Sequence, residues 1–424
     1  MNRFVMLAAL ALLAGAGPAL AQTPHGDVAP MEQMDLGGAE PAPQPKKEGR
    51  SPFVEDTTYG AQLRSMYFFR DQFSPAISEA WAIGGSAWVR SGYLGERVRF
   101  GATLYTSQPL YAPSDRDGTL MLAPGQEGYT VLGQAYAEVK LTERIFAALG
   151  RKLYDTPYIG AFDVRMTPKT FEGVTVYGKA GGAESAPEWR FGGGYITKIK
   201  ELNSDEFVWM SRDAGASVDR GVYLAGANYA RGNFSLGAIE YYSEDIINIF
   251  YTEAKVALPS KLSFAGQFTD QRSTGDNLLT GSSFSTNQWG VRADLGLGAA
   301  TFTVGYTDTA SGADIRNPWS GHPGYTSVQV QNFFRANETA VLLKAAYDFS
   351  ERVPGLSAYA LVVRGDNVAA PQFNETEYDF DLQWKPKEGA WKGSSWRLRY
   401  AHIDQRGGGG ATIDDFRIIF NYDF

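Results

Sequence analysis

The chain contains no cysteine and, after its first residues, no long apolar run. Without cysteine, no disulfide can hold the fold together in any compartment. No stretch after residue 21 approaches the roughly 20 apolar residues that a helix needs to cross a bilayer. A mean hydropathy of −0.27 likewise excludes a bundle of membrane helices. The net charge of −8 argues against nucleic acid as a partner.

Aromatic residues and glycine are abundant instead. Aromatics make up 13% of the chain, with Tyr 23, Phe 25 and Trp 9, beside 48 glycines. This mixture is typical of proteins that place aromatic girdles at two membrane interfaces and glycine where strands bend.

The amino terminus has the pattern of a secretory signal peptide. Residues 1–21 hold one basic residue, Arg3, then the apolar run Val5 to Leu13, and end on Ala19-Leu20-Ala21. This predicts cleavage before Gln22, and the segment is too short and wrongly flanked for a membrane anchor. Residues 22–55 are rich in proline, and we predict a disordered periplasmic leader.

The carboxyl terminus has one aromatic face and one polar face. Phe416, Ile418, Phe420, Tyr422 and Phe424 share one side of a strand, and the polar side holds residues 417, 421 and 423. A soluble sandwich could bury such a face, but the closing strand of a bacterial outer-membrane barrel typically ends in this way.

The same alternation recurs along residues 56–424. Tyr378, Phe380, Leu382 and Trp384, for example, alternate with charged or polar neighbours. About 18 segments of about 10 to 12 residues show it, the length that a tilted strand needs to cross a bilayer. Short and long connections alternate, and no repeated blade motif indicates a propeller. We therefore predict an all-β, antiparallel transmembrane barrel of about 18 strands in a Gram-negative outer membrane, with both termini periplasmic.

If apolar side chains face lipid, their neighbours face the lumen. The first three and last two predicted strands then bring basic residues from distant parts of the sequence onto one wall: Arg64, Arg90, Arg97, Arg99, Arg397, Arg399 and Arg417. Two interpretations remain open. The arginines either pair with acids such as Asp379 and fill a solvated lumen, or they form a basic ladder that passes carboxylates from one donor to the next.

Two long loops have compositions suited to narrowing a pore. Residues 151–171 and 308–338 mix aromatic, charged and proline residues. Composition alone is equally compatible with loops that fold inward and with loops that stay on the external surface.

The chain resembles the OprD family of substrate-specific outer-membrane channels, which are 18-stranded barrels. The resemblance rests on Leu63 to Asp71, on Ser91-Gly92-Tyr93, and on Val353 to Leu356 as a periplasmic turn. The segments Asp163–Gly173 and Trp319–Glu338 resemble the third and seventh loops of that family. The resemblance implies inward-folded loops, a final strand read by the barrel-assembly machinery, and a constriction loop with Tyr158, Asp163, Arg165 and Lys169.

We therefore expect a channel for passive, partly selective diffusion of small carboxylate-bearing solutes, such as amino acids and organic acids, with outer-membrane lipid around it. The alternatives are a nonspecific general-diffusion porin, a structural or adhesive barrel, and an outer-membrane enzyme. The enzyme is disfavoured because only His25, His322 and His402 could act as a catalytic histidine and none has a convincing partner. We expect no cofactor and no metal, and either a monomer or a trimer.

Overall fold

The computed structural model describes residues 51–182, 187–407 and 410–424. The expected signal peptide, residues 1–21, and residues 22–50 of the expected leader lie outside the described residues. No helix in the described part of the chain is long and apolar enough to cross a membrane.

Strands dominate the fold. Within the described ranges, 19 strands form one antiparallel sheet. Two helical turns accompany it, α1 (Pro52–Glu55) before the first strand and α2 (Met210–Asp213) between β8 and β9. The strands are β1 (Thr58–Asp71), β2 (Ile77–Arg90), β3 (Val98–Tyr111), β4 (Tyr129–Thr142), β5 (Ile145–Lys152), β6 (Thr170–Gly181), β7 (Glu188–Lys200), β8 (Val208–Trp209), β9 (Val222–Arg231), β10 (Phe234–Ser243), β11 (Ile247–Ala257), β12 (Leu262–Arg272), β13 (Ser285–Leu297), β14 (Ala300–Thr309), β15 (Thr339–Asp348), β16 (Leu356–Asp366), β17 (Asn374–Trp384), β18 (Ser394–Arg406) and β19 (Thr412–Asp423).

The sheet closes into a barrel. β1 pairs with both β2 and β19, and β7 pairs directly with β9. The two-residue β8 lies in the connection between β7 and β9 and only extends the edge of β7. The remaining 18 strands form a closed antiparallel barrel, which confirms the predicted fold class.

The alternation of residue types sets the two faces of the wall. On β17, Tyr378 is 45% exposed and Phe380 is 40% exposed, whereas Asp379 between them and Glu377 and Asp381 on either side are buried. Adjacent strand positions point to opposite faces, so the apolar set faces outward and the charged set faces the lumen.

Closure joins the first and last strands over ten registered residue pairs, from Gln62 opposite Asp423 to Asp71 opposite Asp414. The amide of Phe424 then donates to the carbonyl of Ala61 at 2.9 Å. Closure leaves neither strand with an open edge, which is the condition for a sheet to cross lipid.

Loop length differs between the two rims. The connections 112–128, 153–169, 201–221, 273–284 and 310–338 all leave the same rim, whereas the turns 143–144, 232–233 and 298–299 lie at the opposite rim. Residue 58 and residue 424 also lie at the rim of short turns. The predicted alternation of long and short connections is correct.

Residues 51–55 differ from the expected disorder. They include the helical turn α1, and the carbonyl of Phe53 accepts hydrogen bonds from the Gly92 amide at 3.1 Å and the Thr57 hydroxyl at 2.7 Å. A Cβ at residue 92 would lie 2.0 Å from the Pro52 carbonyl oxygen, so the glycine permits this close approach. The expected disorder up to residue 55 is therefore wrong for residues 51–55.

Candidate functional site

The inner face of β18, β19, β1, β2 and β3 forms a basic surface, which we call the arginine wall. Register places Arg399 directly opposite Arg417, Arg64 opposite Asn421, and Arg90 opposite Gly101. Six of the seven arginines named from the sequence lie on these strands in the lumen-facing phase: Arg64, Arg90, Arg99, Arg397, Arg399 and Arg417. Barrel closure brings them together from both ends of the chain.

Arg97 does not belong to this wall. It lies exposed in the turn between β2 and β3, and its carbonyl accepts the Lys140 amide at 2.7 Å. The chain reverses at Gly95 and Glu96, both with positive φ, so strand alternation counted back from Arg99 no longer applies. The expected position of Arg97 on the lumen wall is therefore wrong.

Two carboxylates on the wall are each shared between two arginines. Asp381 lies 2.8 Å from Arg397 and 3.1 Å from Arg399. Asp415 lies 2.7 Å from both Arg417 and Arg70. In each case one carboxylate therefore serves two guanidinium groups. These arginines are thus paired with acidic side chains, as the first of the two interpretations of the sequence expects.

Arg99 shares its carboxylate with a lysine. Its Nε lies 2.5 Å from the buried carboxylate of Glu138, which also contacts Lys152 at 3.5 Å and the hydroxyl of Tyr177. These contacts fix the lower part of the wall, near the rim of short turns.

Loop 153–169 reaches the arginine wall. Arg64 contacts Asp163 at 2.5 Å and donates to the carbonyl of Arg165 at 2.7 Å. The Arg165 guanidinium donates to the Thr119 carbonyl at 2.8 Å and lies 4.9 Å from the centre of the Phe68 ring. The same ring lies 5.3 Å from Arg70 and 5.1 Å from Arg417. Three guanidinium groups thus surround one aromatic side chain.

Burial and the positive charges of Arg417 and Arg70 lower the pKa of Arg165. Arginine nevertheless stays protonated in proteins. Arg165 therefore adds a fixed charge to the wall from a loop.

The other two residues of the expected constriction lie elsewhere. The Tyr158 hydroxyl donates to Thr269 on β12 at 3.1 Å, so this residue contacts the side of the barrel formed by β10 to β12. Lys169 pairs with Glu201 at 2.7 Å, and burial together with the Glu201 charge raises the pKa of Asp213 to about 8. Loop 153–169 thus spans the lumen, with Asp163 and Arg165 at the arginine wall and Tyr158 at a distant wall.

Loop 310–338 also folds into the barrel. Trp319 is fully buried and donates to the Met210 carbonyl at 2.8 Å. The His322 ring contacts the Gln288 amide oxygen at 2.8 Å and packs against Tyr158, with 6.4 Å between ring centres. Burial lowers the pKa of His322 to about 3, so the imidazole is neutral at physiological pH. The two long loops therefore meet inside the lumen.

Residues 329–331 of this loop, which we call the strap, lie across the wall of β17 to β19. Their backbone amides donate to Asp379 at 3.1 Å and to Glu377 at 2.8 and 2.7 Å. The Gln329 side chain donates to Asp415 at 2.7 Å. The sequence pattern placed Asp379 beside the arginines but did not indicate that residues 329–331 cover it, because those residues lie far away in the chain.

A pocket lies between loop 310–338 and the inner wall. Its lining includes Arg399 of the arginine wall together with basic, acidic and aromatic side chains that the sequence argument missed: Glu253, Arg292, His322, Tyr325, Lys344 and Tyr359. The Tyr325 hydroxyl donates to Glu253 at 2.8 Å, and burial with the nearby Glu253 charge raises the Tyr325 pKa. The strand residues among them share the lumen phase, so extending the alternation to β11, β13 and β15 would have found them.

The family model for the outer membrane porin, OprD family, matches residues 51–424. The chain belongs to this family. Its family and fold are those of channels rather than enzymes, and they place this OprD-family porin in the Gram-negative outer membrane. It is a substrate-specific outer-membrane porin.

Known proteins match this chain over most of their length. Porin D of Pseudomonas aeruginosa is 23% identical over 421 residues, covering 87% of this chain and 91% of that protein. OccK9 (OpdG) of P. aeruginosa is 23% identical, with a TM-score of 0.78 over 88% of this chain and 100% of that one. A BenF-like porin from P. fluorescens Pf-5 is 19% identical, with a TM-score of 0.77 over 88% and 99%. OpdK of P. aeruginosa, solved with vanillate, is 21% identical, with a TM-score of 0.76 over 88% and 99%.

Proposed function

We propose that this OprD-family porin is a channel for passive, partly selective diffusion of small carboxylate-bearing solutes, such as amino acids and organic acids, into the periplasm. The observation that carries the proposal is the arginine wall, in which Asp381 and Asp415 are each shared between two guanidinium groups. In this proposal, a solute carboxylate joins guanidinium groups that already bind a carboxylate of the wall.

The planar guanidinium group suits carboxylates because two N–H donors match the two oxygens. Hydrogen bonds to charged groups contribute about 1.5–3 kcal/mol each. Donors in series, from Arg397 through Arg399 to Arg417, let a solute exchange partners without losing all of them at once. It is then bound along the path without being trapped.

Two features favour selectivity over general diffusion. Loops 153–169 and 310–338 fold into the lumen and contact each other through Tyr158 and His322. The pocket beside Arg399 also offers aromatic side chains. OpdK was solved with vanillate, an aromatic carboxylate, which is consistent with a carboxylate as the solute class here.

We also propose the placement of the chain in the cell. The rim of short turns, with both chain ends, faces the periplasm, because outer-membrane barrels have short periplasmic turns and long external loops. Residues 1–21 are removed as a signal peptide and residues 22–50 extend into the periplasm. The barrel-assembly machinery recognises the β19 strand with its terminal Phe424.

The test compares carboxylate and sugar uptake by liposomes that contain the purified porin. Arg399→Gln removes one guanidinium from the wall while Arg397 still pairs with Asp381. Uptake of a small monocarboxylate should fall several-fold, and uptake of a neutral sugar of similar size should stay nearly constant.

Arg97→Gln is the matched control, since it removes the same charge from an exposed turn. It should leave both rates unchanged. If Arg399→Gln lowers both rates equally, or neither, the arginines serve only to fill the lumen and the carboxylate proposal fails.

A further inference from the structure

The strap binds the wall through an unusual concentration of hydrogen bonds. The successive amides of Gln329, Val330 and Gln331 all donate to carboxylates, those of Asp379 and Glu377. Successive backbone amides that point to one side form an anion-binding concavity. In this porin the anions that occupy it are carboxylates of the barrel wall.

Apolar packing adds to this attachment. Val330 packs against the buried side chains of Ala401, Ile403 and Ile413 on β18 and β19. Arg417 also donates to the Gln329 carbonyl at 3.2 Å. The strap is therefore fixed to three neighbouring strands rather than suspended in the lumen.

Glu377 is 0% exposed and Asp379 is 4% exposed. Both stand on the strand next to β18, and the register places Asp379 opposite Ala401, two residues from Arg399. Without the strap, these two carboxylates would face water beside the arginine wall and be open to cations from the lumen.

We propose that the strap is a specificity-determining element that masks Glu377 and Asp379 from the lumen and so keeps the permeability of the pore to cations low. The inference rests on the proposed function, because it concerns the sign of charge along the same wall. Rings and walls of one charge select permeating ions by sign, so a mask over the opposite charge decides which sign dominates. The loop thus sets selectivity through its backbone amides. Its charged side chains therefore do not indicate this role.

The experiment measures the reversal potential of single channels in a potassium chloride gradient. Val330→Pro removes the amide that donates to Glu377, whereas Val330→Ala keeps the amide and shortens the side chain. Val330→Pro should raise the permeability of potassium relative to chloride several-fold. Val330→Ala should raise it much less.

The second part of the experiment neutralises the two carboxylates that the strap covers. Glu377→Gln with Asp379→Asn, in the Val330→Pro background, removes the exposed charges and should return the permeability ratio towards that of the parent channel. A conducting Val330→Pro channel with an unchanged ratio, or a ratio that the two neutral substitutions do not restore, would overturn the proposal. If Val330→Pro does not assemble, Gln331→Pro is used instead. It removes the hydrogen bond from the Gln331 amide to Glu377 and should change the permeability ratio in the same direction. Only potassium and chloride are present, so failure of the carboxylate proposal would not alter this result.

Discussion

At the scale of single residues, the lumen holds charged and neutral titratable groups in fixed contact. Arg165 and Arg417 owe their charge to the chemistry of guanidinium, which stays protonated despite burial. His322 is different because its protonation state depends on its surroundings. It is 1% exposed and, among the described residues, forms one hydrogen bond, with the Gln288 amide oxygen. A proton on this ring would place an unpaired charge among aromatic side chains.

Acid should therefore loosen loop 310–338. The pKa of His322 is about 3 with the loop closed, against an ordinary value of 6.5. Between these values the open loop binds a proton and the closed loop does not, so the closed state loses about 1.4 kcal/mol for each pH unit below 6.5. Open-channel current noise should increase as the pH falls from neutral to about 4.5. His322→Gln, which keeps an N–H donor without titrating, should be less sensitive to acid; equal sensitivity would assign the effect to another group.

At the scale of elements, close contact between neighbouring strands depends on residues without side chains. A Cβ at Gly84 on β2 would lie 2.0 Å from the Thr106 carbonyl oxygen on β3. At Gly266 on β12, a Cβ would find its nearest neighbour at 3.9 Å. The two glycines therefore differ in the room available, although both lie within strands.

Gly84→Ala should destabilise the barrel by about 1–3 kcal/mol, because the β2–β3 pairing must shift to accept the methyl group. The temperature at which the folded barrel unfolds in detergent should fall. Gly266→Ala should leave that temperature nearly unchanged, and a similar drop in both variants would contradict the steric argument.

The last strand tests the role of the terminal aromatic residue. Phe424 is 75% exposed, and its ring contacts the Tyr422 ring with 4.8 Å between ring centres. Its backbone amide donates a hydrogen bond to the Ala61 carbonyl on β1. Deletion of Phe424 should lower the amount of porin in the outer membrane, since both barrel closure and recognition by the assembly machinery lose a contact. Phe424→Tyr should assemble normally. Equal surface amounts of the deletion variant and the parent protein would refute this expectation.

At the scale of the whole molecule, three long loops form a second structure inside the barrel. Trp319 of loop 310–338 contacts Met210 of loop 201–221, and Thr167 of loop 153–169 donates to the Leu202 carbonyl at 2.9 Å. The largest apolar cluster includes residues from all three loops and the inner faces of β9 to β11. The loops thus supply an interior core that narrows the lumen.

Trp319→Ala should open this core. Loss of a fully buried tryptophan costs about 3–5 kcal/mol, and the cost should appear as local opening of the loops because the strand hydrogen bonds remain. Single-channel conductance should rise, and amide exchange should accelerate in loops 201–221 and 310–338. Trp391→Ala removes an aromatic side chain that is 51% exposed and should change neither quantity. Unchanged conductance for Trp319→Ala would show that the narrowing lies elsewhere.

The sequence alone determined the barrel and the two faces of its strands. Alternation is a local property, because consecutive strand residues point to opposite sides whatever their partners are. It therefore predicted that Arg399 and Arg417 face inward and that Phe420 and Tyr422 face outward. Alternation failed at Arg97, where a turn interrupts it. Composition failed at residues 51–55, where contacts with Gly92 order a segment that its proline content suggested would be disordered.

Only the tertiary structure decided what the loops do. Tyr158 reaches β12, Gln329 binds Asp415 and Trp319 binds Met210, and each contact joins residues about a hundred positions apart. Such contacts depend on the diameter and closure of the barrel, which no local pattern encodes. The sequence thus placed the charges on the wall, while the folded loops decided which of them are covered.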